Sequence, residues 1–177
     1  MSTGPLRGRR VVITRRPEQS GELARRLAEL GAEVVELPTL AIAPPADCGP
    51  LDDALRRLGS FDWLVFTSAN AVSSVRERLA ALGLDPPTAR LPRGASVGAA
   101  TTTACREGLP WLPVDLQPQS DFRAEGLLAA FERVELAGRS VLVPLSERAR
   151  EVLVSGLAAR GALVTAPVAY RNVAPPG

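Results

Sequence analysis

The chain has 177 residues, of which 46% are hydrophobic, and a formal net charge of +2 with no histidine and no lysine. That size suits one ordinary domain, or one domain and part of another. The missing residue types exclude a histidine triad, most zinc sites, Schiff-base chemistry and a phosphate-loop lysine. The charge is too mild to point to nucleic acid, no apolar run reaches membrane-span length, and the first ten residues hold no signal-peptide apolar region, so a cytoplasmic protein is expected. Cys48 and Cys105 make no metal-ligand spacing. Chemistry must therefore come from arginine, carboxylates, hydroxyls, backbone amides or the single tyrosine, Tyr170.

In chain order, residues 9–14 read as a strand centred on Val11, Val12 and Ile13. Pro17 suits the first turn of a helix whose stripe is Leu23, Leu27 and Leu30, and Gly31 stops it. Residues 32–37 form a second strand, completing a β-α-β unit. Residues 39–43 are extended but flanked by Pro38 and Pro44-Pro45, which confines them to a sheet edge or a crossing segment. A short helix from Leu51 to Leu58 follows.

Residues 61–72 draw attention. Trp63, Leu64, Val65 and Phe66 form a continuous apolar run, as in a parallel strand covered on both faces. The run breaks into Thr67, Ser68, Ala69 and Asn70, and a helix with Val72, Val75, Leu79 and Leu82 on one stripe begins. Polar groups at a strand's carboxyl end and a helix's amino end mark either an ordinary helix cap or the edge where α/β sheets bind ligands and free N–H groups favour anions. A second such turn runs from a strand at residues 95–98 through Gly98 into Thr101–Thr103. The remainder reads as a strand near Trp111, a helix over 122–131, a strand over 139–143, a helix over 148–160, a strand over 162–165, and an extended Val168–Val173 after Pro167, followed by Pro175 and Pro176.

A repeat is visible. Gly8 and Gly138 each lead a strand, Gly31 and Gly161 each open the next, and both pairs lie 130 positions apart, as do Leu23 and Leu153 and Leu27 and Leu157. Duplication is one explanation; the shared grammar of β-α-β units is the other. The segments 39–43 and 168–173 are expected to pair as an antiparallel crossing ladder. Residues 1–37 would then be the first piece of one domain, 38–50 a crossing linker, 51–165 a complete inserted domain, and 166–177 the returning linker.

Five segments in order resemble the uroporphyrinogen-III synthase family: Val12-Ile13-Thr14-Arg15, Phe66-Thr67-Ser68-Ala69-Asn70-Ala71-Val72, Val97-Gly98-Ala99-Ala100-Thr101, Ala124-Glu125-Gly126-Leu127-Leu128 and Val168-Ala169-Tyr170-Arg171. The resemblance implies an α/β fold in which one complete flavodoxin-like parallel-sheet domain is inserted into a second α/β domain, here incomplete, through a two-stranded crossing ladder. It implies a lyase that closes the linear tetrapyrrole hydroxymethylbilane to uroporphyrinogen III, inverting ring D with loss of water, in tetrapyrrole and haem biosynthesis. No metal and no organic cofactor are implied, and no nucleic acid or membrane partner; a monomer is expected.

By the same resemblance Tyr170 is the catalytic candidate, a phenol proton donor to the departing hydroxyl. Ser68, Asn70, Gly98, Thr101 and Arg15 are the substrate-binding candidates. For Tyr170 the alternative is a cleft aromatic that stacks on a pyrrole; for Arg15 and Arg171 it is solvated surface charge. Arg148 and Arg150 are read as serving helix and surface. The resemblance lacks the C-terminal part of the family's first domain, so little synthase activity is expected of 177 residues alone. A competing reading is a synthase-like sensory module of a transcriptional regulator, without its DNA-binding domain. A receiver-type domain fails, because Thr14-Arg15-Arg16 stands where acidic residues would be needed.

Overall fold

This computed structural model describes residues 4–149 and 151–175. The extreme N-terminus, Arg150 and Pro176, on which parts of the sequence reading fall, lie outside the described residues. The chain divides into two compact units, Met1–Ala43 with Asn172–Gly177, and Pro44–Arg171.

The smaller unit holds β1 (Arg10–Ile13), α1 (Pro17–Glu29), β2 (Glu33–Glu36) and β3 (Ala41–Ala43). Strands β1 and β2 pair in parallel with Val11 opposite Val34 and Val12 opposite Val35. Proline opens α1 because its missing N–H is one that a first turn cannot use. Gly31 then takes φ +92°, a left-handed turn that side chains resist, and its N–H bonds to the Ala28 carbonyl at 2.9 Å.

The larger unit contains α2 (Gly49–Arg56), β4 (Trp63–Phe66), α3 (Ala69–Ala81), β5 (Arg93–Ser96), α4 (Ala99–Gly108), β6 (Val114–Leu116), α5 (Ala124–Ala130), β7 (Ser140–Leu142), β8 (Leu145–Ser146), α6 (Val152–Ala159), β9 (Leu163–Thr165) and most of β10 (Val168–Val173). Five of these strands form a parallel sheet in the order β6-β5-β4-β7-β9. All four residues of β4 are buried, as expected of the central strand. Trp63 and Val65 join Leu127, Phe131, Val141, Leu153 and Leu157 in a core beneath α5 and α6. By alternation Leu64 and Phe66 face the opposite layer, where α3 packs on α4. Cys105, fully buried in that layer's α4, is a packing residue, its thiol pushed up to about 12 by burial.

The strand order corrects the flavodoxin-like expectation. Numbered along the chain, the five strands run 3-2-1-4-5, the doubly wound dinucleotide-binding order, and not the 2-1-3-4-5 of flavodoxin-like sheets. β5 and β6 add on one side of β4, and β7 and β9 on the other. Gly94 on β5 donates its N–H to the Pro113 carbonyl at 2.7 Å, and a Cβ there would lie 2.5 Å from that oxygen. Glycine thus seats β6 on the outer edge of β5. A smaller three-stranded sheet has the order β3-β10-β8. The sequence reading did not include β8.

The 130-residue repeat recurs in hydrogen bonds. Arg9 N–H bonds to Leu6 O and Arg139 N–H to Leu136 O; Glu33 N–H bonds to Arg9 O and Leu163 N–H to Arg139 O. Gly8, Gly31, Gly138 and Gly161 all have positive φ. The covering differs: Leu153 and Leu157 are buried, whereas Leu23 is 40% exposed.

Asp62 fastens the entry to the central strand. Its carboxylate accepts the Ser140 N–H at 2.9 Å and bonds to Arg90 and Arg139. Burial raises its proton affinity, but the Ser140 N–H and the two guanidinium groups outweigh this, so its pKa lies below the usual carboxylate value. A folded-state pKa below the unfolded one means stabilisation that is complete above about pH 4 and drains away as pH falls through the folded value. Asp62→Asn is therefore expected to cost about 2 kcal/mol at neutral pH. The difference from wild type should shrink towards acid in urea titrations across pH. A difference that stays constant down to about pH 3 would contradict this assignment.

Candidate functional site

In a doubly wound sheet ligands bind beyond the strand carboxyl ends where the order reverses. Here the reversal lies between β4 and β7, the neighbours that are not consecutive in the chain. The chain leaves β4 through Thr67 and Ser68. Ser68 is the N-cap of α3, extended at φ −160° and ψ 152°, and its Oγ accepts the Ala71 N–H at 3.1 Å. That satisfies one of the N–H groups a helix start leaves free.

From the β7 side the chain passes Val143 and Pro144 into β8, and β10 pairs with β8 in parallel. The register slips between Val168 and Tyr170, an irregularity of the kind that re-aims a side chain. The Glu147 N–H bonds to the Tyr170 carbonyl at 3.0 Å and holds the backbone there. The consequence is a contact between residues 102 positions apart: Ser68 Oγ and Tyr170 Oη are 3.1 Å from each other. Tyr170 is only 7% exposed. Asn70, two residues into the same turn, is half-buried.

The second turn lies alongside. Val97 N–H bonds to Phe66 O at 3.0 Å, and Phe66 is opposite Ser96. Continued by two residues, that register sets Ser68 and Gly98 level at the ends of adjacent strands. Gly98 is the extended N-cap of α4. A Cβ on it would meet Phe122 at 3.2–3.4 Å, and Phe122 itself is 56% exposed. Thr101 is 5% exposed, so its side chain points into the protein. Its neighbour Thr102 is bonded to Ser96 and to Gln117, tying the α4 start to the chain after β6.

Five of the six sequence candidates thus fall in the larger unit: Ser68, Asn70, Gly98, Thr101 and Tyr170. Ser68 and Tyr170 are joined directly by a hydrogen bond. Arg15 belongs to the smaller unit and is exposed just after β1. Arg148 is exposed and precedes α6. Arg171 donates its Nε–H to the Pro44 carbonyl at 2.9 Å. The sequence reading placed Phe122 at the start of a helix and gave it no role in the site. The polar run Gln119-Ser120-Asp121 in front of it was the available sign that this apolar ring begins no stripe. Among the described residues no cluster of histidine, cysteine or carboxylate side chains suits a metal ion, and no helix is long and apolar enough to cross a membrane.

What this arrangement offers is a hydroxyl pair beside the amino ends of a 13-residue and a 10-residue helix, a place suited to donating hydrogen bonds to oxygen and to holding anions. Several proteins similar to this chain are uroporphyrinogen-III synthases. The family model for uroporphyrinogen-III synthase HemD matches residues 21–177. The uroporphyrinogen-III synthase of Synechococcus elongatus is 37% identical over 99% of this chain and 65% of its own length. That of Escherichia coli is 30% identical over 92% of this chain and 65% of its own. The chain thus spans about two thirds of either relative. Among solved structures, a mutant uroporphyrinogen III synthase of Thermus thermophilus superposes with a TM-score of 0.67 at 23% identity, over 94% of this chain and 64% of that one. The wild-type Thermus protein superposes with a TM-score of 0.58 at 26% identity, over 94% and 63%. With the family's turn sequences found at the strand ends where a doubly wound sheet binds its ligand, the chain belongs to the uroporphyrinogen-III synthase family.

Proposed function

We propose that this chain supplies the Ser68–Tyr170 wall of a uroporphyrinogen-III synthase site, acting on hydroxymethylbilane. The observation that carries the reading is the 3.1 Å contact between Ser68 Oγ and Tyr170 Oη at the reversal point of the sheet. Ser68 Oγ already accepts the Ala71 N–H. When its own proton is given to Tyr170 Oη, the phenol proton is left free to point outward. That proton passes to the hydroxyl oxygen of the substrate as its carbon–oxygen bond breaks, and the oxygen leaves as water. The Ser68 hydrogen bond then steadies the charge left on the phenolate oxygen.

Most of the task is orientation. A linear tetrapyrrole closes by itself once its hydroxyl has gone, and the protein must hold the last ring inverted while it does so. Substrate carboxylates suit the helix starts at Ser68 and Gly98, where backbone N–H groups and the helix dipole favour negative charge. Asn70 adds an amide at the same turn, and Thr101 contributes its backbone. No step in this scheme calls on a metal or an organic cofactor, and the chemistry takes place in one monomer.

The test is product identity. Because Ser68 and Tyr170 both lie in the larger unit, hydroxymethylbilane incubated with the purified protein is expected, contrary to the low activity the resemblance implied, to yield uroporphyrinogen III in excess over the type I isomer, measured by separating the oxidised products. A type I product at the rate seen without protein would refute the assignment.

A further inference from the structure

We propose that Phe122 is the aromatic wall of a pyrrole-ring subsite built on the Gly98 turn, a specificity residue that rests on the synthase reading above. Phe122 stands at the same strand edge as Ser68 and is 56% exposed. Its Cβ, Cγ and Cδ1 lie 3.2–3.4 Å from where a Cβ on Gly98 would be. The ring therefore lies against a backbone that carries no side chain. Any larger residue at position 98 would push it away.

The turn that carries Phe122 is held on both sides. Asp121 bonds to Arg123 at 2.8 Å, and the Asp121 carbonyl sits so close to α5 that a Cβ on Gly126 would be 1.9 Å from its oxygen. Phe122 is thus an exposed ring on a segment whose backbone packs closely on α5. Such a ring offers a face on which a flat, electron-rich heterocycle stacks at little entropic cost. Ala99 and Ala100, both exposed, bring first-turn N–H groups of α4 beside it. A pyrrole with carboxylate arms matches that pairing of an apolar face with N–H donors. An aliphatic carboxylate or a free phosphate would use only the donors.

Phe122→Ala and Phe122→Tyr test this. In steady-state assays with hydroxymethylbilane, Phe122→Ala is expected to raise KM about fivefold to tenfold with kcat within about twofold. Phe122→Tyr, which keeps the ring, should retain the wild-type KM. A binding readout is independent of turnover: in protein carrying ¹³C-labelled phenylalanine, the Phe122 ring signals should shift on addition of uroporphyrinogen III. If wild type turns over and Phe122→Ala keeps its KM, the subsite is refuted and the synthase reading stands. If wild type does not turn over but the Phe122 signals still shift, the subsite stands and the catalytic reading falls. If neither turnover nor shift is seen, both fall.

Discussion

Tyr170→Phe is expected to lower kcat about 100-fold while leaving KM within a few-fold of wild type. The substitution removes one oxygen and keeps the ring, so the packing of a side chain that is 93% covered changes little. On the proposed mechanism what is lost is the proton donor, and general acid catalysis contributes roughly 100-fold to 10,000-fold. An interaction made only as the carbon–oxygen bond breaks lowers kcat and kcat/KM together. Ser68→Ala acts through the same oxygen from the other side. It removes the bond to Tyr170 Oη and the cap on Ala71 N–H at once, and a smaller loss of kcat, about tenfold, is expected with it. The discriminating measurement is single-turnover kinetics of the two variants and the double variant. If Tyr170→Phe turns over as wild type does, Tyr170 serves only as an aromatic surface. If the two losses simply multiply in the double variant, the hydroxyls do not act as a unit.

Phe131→Ala should have the largest effect on stability. The ring is fully buried, edge-on to Trp63 with centroids 5.0 Å apart and planes at 74°. It lies where α5 ends. The carbonyl of Phe131 accepts the Arg160 guanidinium at 2.8 Å, so the same residue joins α6 to the core from its backbone side. Truncating a buried phenylalanine typically costs about 3–5 kcal/mol, against a total stability of about 5–15 kcal/mol for a domain. Urea unfolding followed by tryptophan fluorescence should show the midpoint falling with an unchanged slope, since the loss concerns packing and not the surface exposed on unfolding. A loss below about 1 kcal/mol would mean that the neighbours close over the gap.

The elements that were legible in the sequence are those whose signal is local. The Trp63–Phe66 run marked a doubly covered strand because all four residues are apolar, and Ser68 marked a helix start because a serine oxygen can take an N–H there. Where prolines interrupt, the reading slipped. The strand sought near Trp111 begins only at Val114, because Pro113 has no N–H to give a ladder and only its carbonyl serves β5. The helix read from Phe122 begins at Ala124, since Arg123, its N-cap, has an extended backbone (φ −123°, ψ 177°). The helix read from Arg148 begins at Val152, because Leu145 and Ser146 are drawn into a strand beside β10. Nothing within residues 145–150 announces that partner, which lies more than twenty positions on. Strand order was illegible for the same reason: each β-α-β crossover looks alike in sequence whichever edge it travels to. The Ser68–Tyr170 contact follows from that order and from one slipped register, so its two residues were visible singly and their meeting was not.

The paired glycine turns give the molecule an internal control. Gly31 and Gly161 close corresponding helices with φ of +92° and +84°, and the residues after them, Ala32 and Ala162, send N–H bonds to Leu27 and Leu157 at 3.0 and 3.2 Å. Around one of these corners the leucine stripe is sealed; around the other it is open to water at Leu23. The same corner has thus been written twice into one polypeptide with different surroundings. Whatever a substitution does at both corners belongs to the backbone turn itself, and whatever it does at one belongs to the packing there. Few chains permit that separation without a second protein for comparison.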